Sequence, residues 1–226
     1  MKTILSTKLL TPDQKGILTD AGIHLKEYDS INIHFKEFEL TEDYDYFIFT
    51  SQNAVRAFLK HKLDFYKEKD LGLGCFCVGE KTKLLLEQNG QKVLKTTQNA
   101  SDLGHFIAEY YKNQSFLFFC GNRRINHLPD ILLNAKIRFK EIEVYQTKLK
   151  PHHFSEPFDG VLFFSPSGVK SFISENGLGT STVFCIGDTT AREAEKYAVS
   201  VVVADTPSVE SLMKKVILYY NLNIEK

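Results

Sequence analysis

The sequence has no excess of either charge: Lys and Arg together number 28, and so do Asp and Glu. A balanced chain has no global field to draw in nucleic acid or an anionic membrane, so an anionic ligand would need a local site. Long apolar runs are also missing. Stretches such as Phe116 to Cys120 and Val201 to Ala204 fall far short of the roughly 20 residues that span a bilayer. Ser6, Thr7 and Lys8 interrupt the start before it reaches signal-peptide length. The expectation is a cytoplasmic chain with no nucleic-acid or membrane partner. Cysteine is scarce, 4 in 226 residues, which fits a reduced compartment better than a disulfide scaffold. Cys75 and Cys77 are the one close pair; as strand residues they are expected to face opposite sides, as small buried hydrophobes and not as metal ligands. His152 and His153, beside Pro151, have no third ligand at suitable spacing and read as solvated linker, so no metal is expected. Absent too are the Gly-rich loop with Lys-Ser or Lys-Thr, the dinucleotide fingerprint and the Gly-x-Ser-x-Gly elbow, which disfavours a nucleotide- or flavin-using enzyme.

What is present is a globular composition, 43% hydrophobic and 25% charged, together with an internal duplication. The segment from Tyr44 to Leu59 aligns without gaps on Phe158 to Ile173, with Asp45, Phe49, Ser51, Val55 and Phe58 matching Asp159, Phe163, Ser165, Val169 and Phe172. Each copy passes from a short apolar stretch through a Ser to residues at helical spacing, the pattern of strand, turn and helix. A second block, Phe76 to Thr82, aligns on Phe184 to Thr190, each copy an apolar run, a Gly, an acidic residue and a Thr before another helix. A short apolar run and a further helix start follow both times, at Ala100 to Leu103 and at Ser208 to Leu212.

Alternation of this kind, with buried β-branched and aromatic strands, specifies α/β lobes built on parallel sheets with helices on both faces. Thr3 to Thr7 with Pro12 to Ala21, and Phe116 to Cys120 with Asn126 to Leu133, add a strand-helix unit each. The second repeat lacks a following unit, and residues 1 to about 30 are expected to supply it. The first lobe is therefore expected to be discontinuous, residues 1–33 and 152–226, with the second, 37–146, inserted. Two linker segments, Asn32 to Phe38 and Val144 to Pro151, cross between them.

In open parallel sheets ligands sit beyond the carboxyl ends of the strands, where helix N-termini offer free N–H groups. Thr50 and Ser51, Ser165 and Ser167, Gly79 to Thr82 and Gly187 to Thr190 all fall at such places. Each taken alone is an ordinary cap or turn. Together they describe a two-lobed binder of a many-armed anion, which as a non-catalytic metabolite-binding protein is the alternative to an enzyme.

The ordered motifs Phe49-Thr50-Ser51-Gln52-Asn53-Ala54-Val55, Val78-Gly79-Glu80-Lys81-Thr82, Phe119-Cys120-Gly121-Asn122-Arg123-Arg124, Val144-Tyr145-Gln146-Thr147, Phe164-Ser165-Pro166-Ser167-Gly168 and Ile186-Gly187-Asp188-Thr189-Thr190 resemble, across almost the whole chain, those of the uroporphyrinogen-III synthase family. The resemblance implies two flavodoxin-like parallel-sheet lobes joined by a two-stranded linker. It implies, as substrate, hydroxymethylbilane, a linear tetrapyrrole with several carboxylates, closed with loss of water and inversion of ring D through a spiro intermediate. No cofactor is implied. Tyr145 matches the family tyrosine that assists departure of the hydroxyl, and a phenol stays protonated at neutral pH. Thr50, Ser51, Thr82, Ser165, Ser167, Thr189 and Thr190 are carried over as substrate contacts, with Arg124 as a charged partner. Lys8 stands where many relatives have Arg, and an ammonium lacks the bidentate fork. A monomer, in transient contact with the enzyme that supplies its substrate, is expected.

Overall fold

The structure is a computed structural model, and it describes residues 1–40, 43–65, 73–123 and 126–220. It divides into two compact units, Met1–Asn32 with Lys148–Lys226, and Ile33–Thr147.

The first unit opens with β1 (Thr3–Ser6), α1 (Pro12–Thr19) and β2 (His24–Glu27). The start of α1 is set by Thr11, whose hydroxyl accepts the Gln14 N–H while the Gln14 side chain accepts the Thr11 N–H, with Pro12 in the first turn. β3 (Ile31–Phe35) then carries the chain across into the second unit, which holds β4 (Tyr46–Phe49), α2 (Gln52–Phe65), β5 (Gly74–Val78), α3 (Glu80–Gln88), β6 (Val93–Thr97), α4 (Ala100–Tyr110), β7 (Ser115–Gly121), α5 (His127–Asn134) and most of β8 (Arg138–Leu149). The chain finishes in the first unit with β9 (Gly160–Phe163), α6 (Pro166–Ile173), β10 (Thr182–Cys185), α7 (Asp188–Ala194), β11 (Val201–Val203) and α8 (Val209–Tyr219).

The sheet of the first unit runs β11-β10-β9-β1-β2, all parallel. Counted along the chain this is the flavodoxin order. That of the second runs β6-β5-β4-β7-β8, also parallel, with β3 added outside β8. The strands correspond one to one: β4, β5 and β6 match β9, β10 and β11, while β7 and β8 match β1 and β2. Each sheet is thus the same sheet with the chain opened at a different loop. The bonds Lys36 N–H to Val144 O and Lys150 N–H to Ser30 O, both 2.9 Å, advance along β3 as they retreat along β8, so the linker strands are antiparallel.

Both faces of each sheet are buried, which is why the strands read as unbroken apolar runs. In β7, Leu117 and Phe119 join the core under α2, while Phe116, Phe118 and Cys120 join the core under α4 and α5. Phe119 stacks on Phe49 at 5.0 Å and meets Phe47 edge-on at 5.2 Å. In the first unit Leu162 faces the α1 and α8 side, and Val161 and Phe163 the α6 and α7 side.

Cys75 and Cys77 are buried in one and the same core, with Phe76 in the other. The expectation that they face opposite sides is thereby corrected: residues two apart on a strand share a face. Among the described residues no cluster of three His, Cys, Asp or Glu could hold a metal ion. His152 and His153 are exposed; His153 Nδ1 bonds the Glu175 carbonyl at 2.9 Å, and the His152 ring lies 4.6 Å from that of Phe154. No helix among the described residues is long and apolar enough to cross a membrane.

Candidate active site

In the second unit the strand order reverses between β4 and β7, and the crevice beyond their carboxyl ends is the place where such sheets take ligands. Thr50 and Ser51 follow β4 there. Ser51 caps α2: its Oγ accepts the Ala54 N–H at 3.1 Å. The same Oγ lies 3.1 Å from the Tyr145 hydroxyl. Tyr145 sits in β8, its ring packed against the α2-side core, and burial pushes its phenol above the ordinary value, with the Ser51 bond opposing the rise. The phenol is therefore a neutral donor at any physiological pH.

Thr82, one strand over, is buried in the first turn of α3, its N–H bonded to Gly79 O at 3.0 Å. Gly79 has φ +84°, a conformation that L side chains rarely adopt, so the turn into α3 calls for glycine. Thr50 is half-buried next to Ser51. Arg124 lies outside the described residues. The remaining predicted contacts belong to the first unit: Ser165 caps α6 by accepting the Gly168 N–H at 3.1 Å, Ser167 is half-buried in the first turn, Thr189 is exposed and Thr190 is buried. Among the described residues, then, Ser51 and Tyr145 are the two predicted site residues that a bond brings together. Lys8 Nζ stands 5.9 Å from the centre of the Phe164 ring. A groove of about 480 Å³ in the first unit, lined by residues including Lys26, Tyr28, Lys150, His152 and Phe154, contains none of the predicted contacts.

Sequence reasoning gave no role to Gly121 or Asn122, and both touch the Tyr145 segment. Asn122 N–H donates to the Tyr145 carbonyl at 3.3 Å, and Asn122 Oδ1 accepts the Thr147 N–H at 2.9 Å. The available signal was a glycine closing a strand of otherwise large residues, a mark of a bulge or a close approach.

With this geometry in hand, comparison with known proteins is decisive. Residues 19–214 match the family model described as uroporphyrinogen-III synthase HemD. The chain belongs to the uroporphyrinogen-III synthase family. A uroporphyrinogen-III synthase of Chlorobaculum parvum is 27% identical over 173 residues, 68% of this chain and 70% of that one. A porphyrin biosynthesis protein HemD of Ruminiclostridium josui is 26% identical over 200 residues, 79% of this chain, which spans only 39% of that protein's length. Among solved structures, the Helicobacter pylori uroporphyrinogen-III synthetase shares the fold with a TM-score of 0.72 at 22% identity, covering 97% of this chain and 100% of the other. A mutant Thermus thermophilus uroporphyrinogen III synthase does so with 0.70 at 13% identity, covering 98% and 99%. Family membership and fold are thus shared with proteins of porphyrin biosynthesis.

Proposed function

We propose that this chain is a working uroporphyrinogen-III synthase with Tyr145 as its general acid. The observation that carries the reading is the Ser51 to Tyr145 hydroxyl pair at 3.1 Å, placed at the strand-order switch of a chain of this family. One acceptor position of Ser51 Oγ is taken by the Ala54 N–H. With the Ser51 proton directed to Tyr145, the phenol keeps its own proton for the substrate.

Tyr145 gives its proton to the departing hydroxyl of hydroxymethylbilane, the C–O bond breaks and water leaves, and the electron-poor methylene carbon is attacked by the substituted position of ring D. The spiro species opens and recloses with ring D inverted, and the proton released as the pyrrole regains aromaticity restores the phenol. Ser51, donating, steadies the phenolate between these events. The open chain also closes unaided to the uninverted isomer, so the protein must favour one transition state over another.

Thr50, Ser51, Thr82, Arg124, Ser165, Ser167, Thr189 and Thr190 form the proposed carboxylate contacts, from hydroxyls and helix N-termini. We assign residues 1–33 with 152–226, and 37–146, as the two domains, and place the enzyme in the cytoplasm as a monomer that meets the enzyme supplying its substrate only in passing. The test is to give the purified protein fresh hydroxymethylbilane, oxidise the products and resolve the isomers against a protein-free blank. Predominance of type III is expected; type I alone at the blank rate would remove the enzyme reading in favour of a metabolite-binding protein.

A further inference from the structure

β7 carries Phe116, Leu117, Phe118 and Phe119 in succession and ends in Gly121, which is buried. The space a side chain would take there is filled by the ring of Tyr145: a Cβ on Gly121 would stand 2.4 Å from Cζ, 2.6 Å from Cε2 and 2.8 Å from Cε1. These separations lie far inside van der Waals contact, so any larger residue must push the phenol aside.

The ladder reaches this glycine through a bulge. Pairing between β7 and β8 steps from Cys120 with Glu143 to Gly121 with Tyr145, passing over Val144. Successive strand residues face opposite ways, so in a regular ladder Tyr145 would point away from the side that Ile142 and Val144 face. The extra residue cancels one alternation. As a result Ile142, Val144 and Tyr145 all pack into the core under α2, the side on which Ser51 stands. The chain beyond Tyr145 is held by the residues just after the glycine: Asn122 Oδ1 accepts the Thr147 N–H at 2.9 Å, and Arg123 Nε donates to Thr147 O at 3.3 Å.

We infer that Gly121, with the bulge it closes, is a positioning residue of the reaction: it leaves open the seat of the Tyr145 ring from which the hydroxyl reaches Ser51. This rests on the reading of Tyr145 as the acid. A displacement of about 1 Å in a reacting group can cost on the order of 100-fold in rate, so Gly121→Ala is expected to lower kcat about 10- to 100-fold with KM little changed.

A purely structural role for Gly121 is separated from a positioning role by combining the substitution with Tyr145→Phe. Phenylalanine keeps the ring and therefore the clash, so Gly121→Ala should lower the melting temperature equally in both backgrounds, whereas turnover should fall only where the hydroxyl is present. If Tyr145→Phe is slow and the double variant is no slower, the inference stands. If Gly121→Ala is as fast as the parent, or slows the phenylalanine background by the same factor, it is overturned while Tyr145 remains the acid. If Tyr145→Phe alone turns over at the parent rate, the acid reading fails and takes the inference with it. Should Gly121→Ala not fold, Asn122→Ala, at an exposed position, is run through the same cycle for the seat of the Tyr145 segment, with the same outcomes counting for and against.

Discussion

Ser51 and Ser165 occupy the same place in the two repeats and are bonded alike, each Oγ accepting the N–H three residues on, from Ala54 and Gly168, at 3.1 Å. Thr82 and Thr190 are likewise both buried, each with its N–H on the preceding glycine's carbonyl at 3.0 Å. The repeats part company in what surrounds these caps. In the second unit Ser51 has a second partner, the phenol of Tyr145. In the first, the nearby hydroxyls are occupied within the fold: Thr7 Oγ1 donates to Leu162 O at 2.7 Å and Ser30 Oγ to Thr7 O at 2.8 Å. The strand pairs differ too, because β1 pairs with β2 in unbroken register while β7 and β8 slip at Gly121. What was duplicated is the part that makes a strand turn into a capped helix. The proposed acid, Tyr145, sits outside the duplicated blocks, on a strand whose ladder slips next to it.

The largest effect that would sharpen this asymmetry is kinetic. Tyr145→Phe is expected to slow type III formation by about 10²–10⁴-fold, the range for one positioned acid, while the urea midpoint hardly moves; the isomer assay and a urea titration check the two halves. A parent-like rate would leave the two units chemically equivalent. Next in size are the cores. Phe119 in the second unit and Phe163 in the first are both fully buried, and truncation to Ala is expected to cost about 3–5 kcal/mol at either place. Two similar losses in urea would say that the repeats carry matching shares of stability, and a gap of several kcal/mol between them would break the equivalence.

Smaller again are the caps. Ser51→Ala and Ser165→Ala each remove one side-chain acceptor at a helix start, expected to cost ~1 kcal/mol of stability. The stability losses should match, but only Ser51→Ala should also lower kcat, by about tenfold, the kinetic equivalent of ~1.4 kcal/mol, while loss of the Ser165 carboxylate contact should show in KM alone. Equal kinetic effects would mean that both serines meet the reacting end of the substrate, and the contrast between the units would have to be given up.

The sheets were legible because burial on both faces leaves its mark in single residues: Phe116 to Phe119 is apolar throughout, and the shared Asp, Phe, Ser and Val of the repeats tie β4 to β9. The Ser51 cap was legible for the same reason, since its hydroxyl does a local job at a local spacing. The aim of Tyr145 was not. A period of two assigns Tyr145 the face opposite Val144, and only the slip at Gly121 reverses that. A bulge depends on how two strands separated by a helix come to pair, so neither strand alone announces it. Cys75 and Cys77 illustrate the opposite failure: their common face follows directly from the strand period, and the expectation misapplied the rule. The role of Gly121 could be suspected from a missing side chain, but what fills the space belongs to the tertiary fold.

The smallest expected effect concerns the aligned aspartates, which serve as matching clamps at the amino ends of the sheets. Asp45 Oδ2 accepts both the N–H and the hydroxyl of Ser115, the first residue of β7, at 2.7 Å each. Asp159 Oδ2 accepts the N–H of Thr3, the first residue of β1, at 2.8 Å, and its Oδ1 takes Lys2 Nζ at 2.8 Å. Both carboxyls are held below their ordinary range, Asp45 chiefly by the Ser115 hydroxyl and Asp159 chiefly by the Lys2 ammonium. A carboxyl depressed in the folded state binds a proton more readily when the chain unfolds, so its contribution is complete above the unfolded value and drains away as pH falls through the folded one. Both groups are solvated, which keeps the contribution small. Asp45→Asn and Asp159→Asn should therefore each flatten the acid limb of stability below about pH 4, read as melting temperature against pH. Because the ammonium of Lys2 is screened by salt and the Ser115 hydroxyl is not, raising the ionic strength should erase more of the Asp159 effect than of the Asp45 effect. An equal response to salt would mean that the two clamps hold their strands by the same force.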